Sequence, residues 1–106
     1  MRVPTFALRE TISIQDFRGS GSHGPVYADA RVVRASVQET SRLVTDTRGR
    51  AVTLELLAQV RPESGPVLIE SRVAWQGRVY RVVTAYASPD TRRPTHWELG
   101  LSRFVG

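Results

Sequence analysis

The chain has no cysteine and no lysine, a single methionine and two histidines in 106 residues. Without cysteine there is no disulfide framework, no thiolate metal site and no thiol nucleophile, so stability must come from packing or from partners. The redox compartment stays open. The amino-terminal run Met1-Arg2-Val3-Pro4-Thr5-Phe6 lacks the apolar stretch of a secretion signal, and no segment is long and apolar enough to span a membrane. The product is therefore expected to be made and kept in the cytoplasm, without a membrane partner. All fifteen basic residues are arginine, against ten acidic ones, for a net charge of +5. Arginine pairs bidentately with carboxylate and phosphate and stacks on aromatic rings, so a charged interface would explain this usage. The base composition of a GC-rich genome is the simpler cause, and the two are not exclusive.

What is present is globular. Hydrophobic residues make up 41% and charged residues 24%, ordinary values for a folded domain, and the length suits one modest core and not two. One domain spanning 1–106 is expected, with 1–9 as an amino-terminal arm and 104–106 as a carboxy-terminal tail.

Period-2 alternation marks most of its strands. Thr11-Ile12-Ser13-Ile14-Gln15 points Ile12 and Ile14 inward. Gly19, Ser20, Gly21, Ser22, His23, Gly24 and Pro25 read as a flexible loop, because glycine, serine and proline favour neither helix nor ladder. Val26 to Gln38 reads as a long second strand, with Val33, Ala35 and Val37 on one face. Thr40, Ser41, Arg42, Leu43, Val44, Thr45, Asp46, Thr47, Arg48, Gly49 and Arg50 form a long polar excursion, in which a short helix is weakly signalled. Val52 to Val60 alternates as a third strand, where Leu57 marks either a bulge or a second contact surface.

Arg61-Pro62-Glu63-Ser64-Gly65-Pro66 is a turn into a fourth strand, whose inward face is Val67, Ile69, Ser71, Val73 and Trp75. Gln76-Gly77 suits a two-residue hairpin, glycine supplying a positive φ. Arg78 to Ala87 is apolar on both faces, as a central strand would be. Ser88 to Pro94 is a loop, and Thr95 to Arg103 a last strand with Trp97, Leu99 and Leu101 inward. About six short strands without sustained helical periodicity predict an all-β fold, a small antiparallel β-barrel with long loops.

Catalytic searches return little. His23 and His96 are far apart and in no metal-ligand spacing. Asp16, Asp29, Glu55, Glu70 and Glu98 are scattered on polar strand faces, where solvation and cross-strand pairing with arginine are the expected roles. No GxSxG elbow exists, and the Gly19 to Gly24 loop lacks the lysine and following helix of a phosphate loop. No enzyme, metal or cofactor is expected. A basic barrel that stacks bases on Tyr27, Tyr80, Tyr86, Trp75 or Trp97 is the alternative from another class, although Trp75 and Trp97 fall on core phases.

Several short motifs follow one another along the chain: Ile12-x-Ile14; Gly24-Pro25-Val26-Tyr27; the long second strand with its polar excursion; Arg61-Pro62-Glu63; Ser71-Arg72-Val73; Gly77-Arg78-Val79-Tyr80-Arg81-Val82; and Pro94-Thr95-His96-Trp97-Glu98-Leu99. In order and spacing, over nearly the whole chain, they resemble the head-to-tail stopper (head-closure) family of long-tailed bacteriophages. The resemblance implies a small barrel in a homo-oligomeric ring, a hexamer in the family, within the virion's head-to-tail interface and assembled in the host cytoplasm. It implies an adaptor or portal ring on one side, a tail terminator on the other, and packaged double-stranded DNA in the channel. It makes Thr40 to Arg50 the candidate channel loop, with Arg42, Arg48 and Arg50 near DNA or acidic neighbours; an ordinary outer contact loop is the alternative. Gly19 to Gly24 becomes a candidate docking loop.

Overall fold

The computed structural model describes residues 9–87 and 96–104. Eight strands follow one another as β1 (Glu10–Gln15), β2 (Phe17–Gly21), β3 (Gly24–Tyr27), β4 (Arg31–Thr45), β5 (Ala51–Val60), β6 (Arg72–Trp75), β7 (Arg78–Ala87) and β8 (Trp97–Arg103). Six close into a barrel in the order β1-β4-β5-β8-β7-β6, every pairing antiparallel, while β2 and β3 form a separate two-stranded sheet. The all-β barrel expected from alternation is the observed fold. Closure removes most of the unpaired edge that an open sheet of this size would expose.

Period-2 patterning does what it predicts. Ile12 and Ile14 of β1, Leu56, Ala58 and Val60 of β5, and Leu99 and Leu101 of β8 are all buried and meet in one cluster. Each large aliphatic side chain so buried contributes roughly 1.5–3 kcal/mol. Trp75 and Trp97 pack against this cluster from its margins, and Tyr80 is 2% exposed inside it. The Gln76-Gly77 hairpin also forms as expected, with φ of 48° and 75° at the two turn residues and Trp75 opposite Arg78.

Other expectations need correction. The glycine-rich loop is a hairpin: β2 and β3 pair with Gly21 opposite Gly24, and Ser22-His23 make the turn. Gly24, at φ 111°, supplies a conformation that other residues resist. The expected second strand is broken at Ala28–Ala30, where the Ala28 N–H donates to the Asp16 carbonyl at 2.8 Å. The fourth strand shrinks to β6, because the chain turns at Leu68–Ser71 with Glu70 at φ 80°. Val67, Ser71 and Val73 are nevertheless buried, so the expected inward face survives in a different conformation. Leu57 is neither bulge nor break; it pairs in register with Gln38 and Gly100, and the bulges lie in β4 between Glu39 and Arg42 and in β7 between Val82 and Thr84.

Of the expected tail, Phe104 is anchored, its N–H donating to the Val79 carbonyl at 2.9 Å. The loop at 88–94, the Thr95 start of the last strand, residues 1–8 of the arm and residues 105–106 lie outside the described residues.

Candidate functional site

The Thr40 to Arg50 excursion is the largest correction. It is neither an irregular loop nor a helix: Thr40 to Thr45 complete the 15-residue β4, and Asp46 to Gly49 form a tight turn into β5. Thr40, Val44, Thr45, Val52 and Thr53 are β-branched, which favours a strand, and the polarity of the segment comes from exposed Ser41, Arg42 and Thr45, not from irregularity. Past Glu39 and Leu56 this hairpin leaves the barrel, since β8 pairs with β5 only from Leu56 onward and β1 with β4 only as far as Ala35. It is an arm.

The arm folds back against the barrel's own outer wall. Leu99 and Leu101 point inward, so Gly100 between them faces out, and a Cβ built on Gly100 would meet Leu54 and Thr84. Leu54 therefore covers Gly100 from outside. It is buried without belonging to the main cluster, as is Val83 at the β7 bulge. Val44 and Val52, which share the wall-facing side of the arm, are half-buried, whereas Leu43, Thr45, Ala51 and Thr53 on the other side are exposed.

Charges fix the arm's tip. The Asp46 side chain is only 3% exposed, and its Oδ1 accepts the N–H groups of Arg48 and Arg50, both at 2.9 Å. Gly49, at φ 79°, donates its N–H to the Asp46 carbonyl and completes the turn. Asp46 Oδ2 has no hydrogen bond but faces Arg50 Nε at 3.6 Å and an Arg81 nitrogen at 3.8 Å. Arg81, on β7, also holds Glu70 at 3.0 Å. The hydrogen bond from the Arg50 N–H holds the Asp46 carboxyl below its ordinary pKa; burial opposes this, and the Arg48 N–H and the charges of Arg50 and Arg81 reinforce it.

Arg50 is thus paired within the chain. Arg42 lies close enough to Tyr86 for its charge to act on the phenol, whose hydroxyl donates to Glu98 at 2.7 Å. That hydrogen bond, then burial and the Glu98 charge, raise the Tyr86 pKa, and Arg42 opposes them. Arg48 is exposed at the tip.

The arm's tip and the β2–β3 hairpin face each other across a cavity of about 490 Å³. Asp46, Arg48 and Arg50 line it from the arm, Pro25 and Tyr27 from β3, and Arg81, Arg103 and Phe104 from the barrel. The guanidinium of Arg72 sits 3.8 Å over the Tyr27 ring and 5.5 Å from that of Phe104. The two candidate segments are brought near one another, although Gly19 to Gly24 do not themselves line this cavity. Gly19 lines a second, larger one of about 770 Å³ with Phe17, Arg31 and Pro66.

Neither the Arg72 stack nor the Asp46 brace follows from the motifs. One signal was present: Asp46-Thr47-Arg48-Gly49 has aspartate first and glycine fourth, the pattern of a tight turn. Three of the five scattered carboxylates pair with arginine, in Asp16–Arg31, Glu70–Arg81 and Glu55–Arg103, while Glu98 accepts from the Tyr86 hydroxyl. Of the candidate stacking rings, Tyr80 is buried, Trp75 and Trp97 pack on the core and Tyr27 is covered by Arg72, which leaves Tyr86 exposed.

In class, then, the molecule is a closed six-stranded antiparallel barrel with a hairpin arm laid on its wall. No protein-family model matches the sequence, and no curated protein matches it. Among solved structures it is similar to the phage-like element PBSX protein xkdH from Bacillus subtilis, with a TM-score of 0.49 and 18% identity over 89% of this chain and 92% of that one.

Proposed function

We propose that the protein is a non-enzymatic structural component of a phage virion, one subunit of a ring in the head-to-tail interface. The ring closes the portal channel to retain packaged double-stranded DNA, with an adaptor or portal ring on one side and a tail terminator on the other. The order of motifs along the chain supports this reading. The observation that carries it is the arm: where the resemblance expects the channel loop, the chain builds an ordered hairpin outside the barrel, held by the Leu54 contact and the Asp46–Arg81 pair. An appendage of this kind can be changed or moved without dismantling the barrel core.

Deleting Leu43 to Arg48 and scoring DNA leakage from tailless heads tests the reading. Leakage is expected from heads carrying a variant that keeps a β-sheet circular dichroism spectrum. Unchanged retention would sink the idea that the arm gates the channel.

A nucleic-acid-binding barrel is the second reading, favoured by the four arginines Arg48, Arg50, Arg81 and Arg103 around one cavity. Against it, Asp46 and Glu70 line the same cavity, and the exposed ring, Tyr86, is hydrogen-bonded to a carboxylate. Binding to single-stranded DNA that falls steeply with salt would favour it.

A further inference from the structure

The cavity between the arm's tip and the β2–β3 hairpin holds more positive charge than its own carboxylates use. Arg48, Arg50, Arg81 and Arg103 line it, against Asp46 and Glu70. Each guanidinium carries five N–H donors. Arg81, the most buried of the four, gives a hydrogen bond to Glu70. The side chains of Arg48, Arg50 and Arg103 make no hydrogen bond to any described residue. Arg50 faces Asp46 at 3.6 Å and Arg103 faces Glu55 at 3.8 Å, by charge alone, and Arg48 has no ion pair among the described residues. These three guanidiniums therefore keep their donors for an acceptor that the described chain does not supply. Arg48 and Arg50 come from the arm, and Arg81 and Arg103 from the barrel wall, so the recess is complete only while the arm lies against the wall.

The occupant's chemistry follows from what surrounds the arginines. An anion that takes up the unused donors must carry little charge of its own, because Asp46 is buried beside them and Glu70 shares the lining. A carboxylate carries a single charge, and its two oxygens match the arginine fork. Pro25, Val52 and Phe104 add apolar wall for the stem of an acidic side chain. Duplex DNA fits less well: it presents a dense row of phosphates on a broad convex surface, which would meet the rim and set several charges against the two carboxylates.

We infer that the cavity binds a glutamate or aspartate side chain from an acidic segment of a protein partner. The contact goes beyond the ring reading, which names neighbours but no surface for them, and it does not depend on the arm's closing a channel.

Amide NMR spectra of the whole chain test it, with the blocked tetrapeptide Gly-Glu-Glu-Gly as probe and Gly-Gln-Gln-Gly as its neutral counterpart. The acidic peptide is expected to shift the signals of Arg48, Arg50 and Phe104, and the neutral one to leave them in place. Arg48→Gln removes an unpaired side chain and keeps the backbone N–H that Asp46 accepts, so the fold should stand while peptide binding weakens about fivefold, the scale of one partly exposed charge pair. Arg34→Gln lowers the net charge equally at an exposed position on β4, the strand opposite β7 in the barrel order, and should leave peptide binding unchanged. Matching shifts from both peptides, no shift from either, or equal weakening by the two variants would overturn the inference. Duplex DNA whose binding falls more with Arg48→Gln than with Arg34→Gln would give the cavity to phosphate and overturn it as well. The outcome is separable from that of the leakage assay: peptide binding alongside unchanged DNA retention by arm-deleted heads keeps the contact and defeats the channel reading, and leakage without peptide binding does the reverse.

Discussion

The Arg72 guanidinium lies 3.8 Å over the ring of Tyr27, and its Nε is buried without a hydrogen-bond partner. That nitrogen makes no hydrogen bond, and the guanidinium's contact with Tyr27 is extended by the Phe104 ring at 5.5 Å on the barrel's final segment. The contact joins the β2–β3 hairpin, which is outside the barrel ladder, to β6 within it. A double-mutant cycle between Arg72→Ala and Tyr27→Ala, read by urea denaturation, should give a coupling of about 1–2 kcal/mol, as for a partly desolvated cation–π pair. Simple additivity would mean that the stack contributes no pairwise energy.

Asp46 predicts a pH dependence whose sign is fixed. Its folded pKa is depressed, chiefly by the Arg50 N–H, so the folded carboxylate holds its proton less readily than the unfolded one. The stability it contributes is present above the ordinary carboxylate range and is lost as pH falls through the folded pKa. Asp46→Asn keeps an oxygen to accept the two N–H groups but loses the attraction to Arg50 and Arg81. Urea midpoints for the native chain should exceed those of Asp46→Asn at neutral pH and converge with them below about pH 4. A gap that stays constant across that range would contradict the ion-pair role.

Legibility in the sequence divides along the same boundary as the barrel and its arm. Ile12 and Ile14, Leu56 to Val60, and Leu99 with Leu101 were readable because a strand with one buried face shows its burial directly as period-2 alternation. The arm hid its structure because its wall-facing side uses Val44, Val52 and Leu54 against a glycine, and so little apolar surface resembles a solvated loop. Gly19 to Gly24 misled for a related reason, since residues that favour turns also serve a tight hairpin with a bulge.

Gly100 should be hard to replace for a reason that lies outside the barrel. A methyl at this position meets the Thr84 hydroxyl and the Leu54 side chain, so Gly100→Ala overpacks the seam between arm and wall. A cost of about 1–3 kcal/mol is expected. Because Leu54 is one of the two obstacles, Leu54→Ala should make the Gly100→Ala substitution less costly, and the double variant should be more stable than the sum of the single effects implies. Strict additivity in thermal or urea unfolding would place Leu54 away from Gly100 in solution.

Arg31 joins three parts of the fold. Its Nε and one terminal nitrogen donate to the Asp16 carboxylate at 2.8 and 3.2 Å, and the other terminal nitrogen donates to the Ser64 carbonyl at 2.6 Å. Asp16 lies between β1 and β2, and Ser64 in the crossover from β5 to β6, so one side chain at the start of β4 ties the small sheet's root to the barrel's long connection. Lysine offers a single ammonium in place of the planar fork and cannot reproduce a bidentate pair together with a third bond. With the two side chains 35% and 28% exposed, solvent screens part of the ion pair, and a loss of about 1–2 kcal/mol is the expected scale for either Arg31→Lys or Arg31→Met. The informative comparison is between the two variants. If geometry matters more than charge, lysine should rescue less than half of the stability that methionine loses; near-complete rescue by lysine would show that a point charge beside Asp16 is enough.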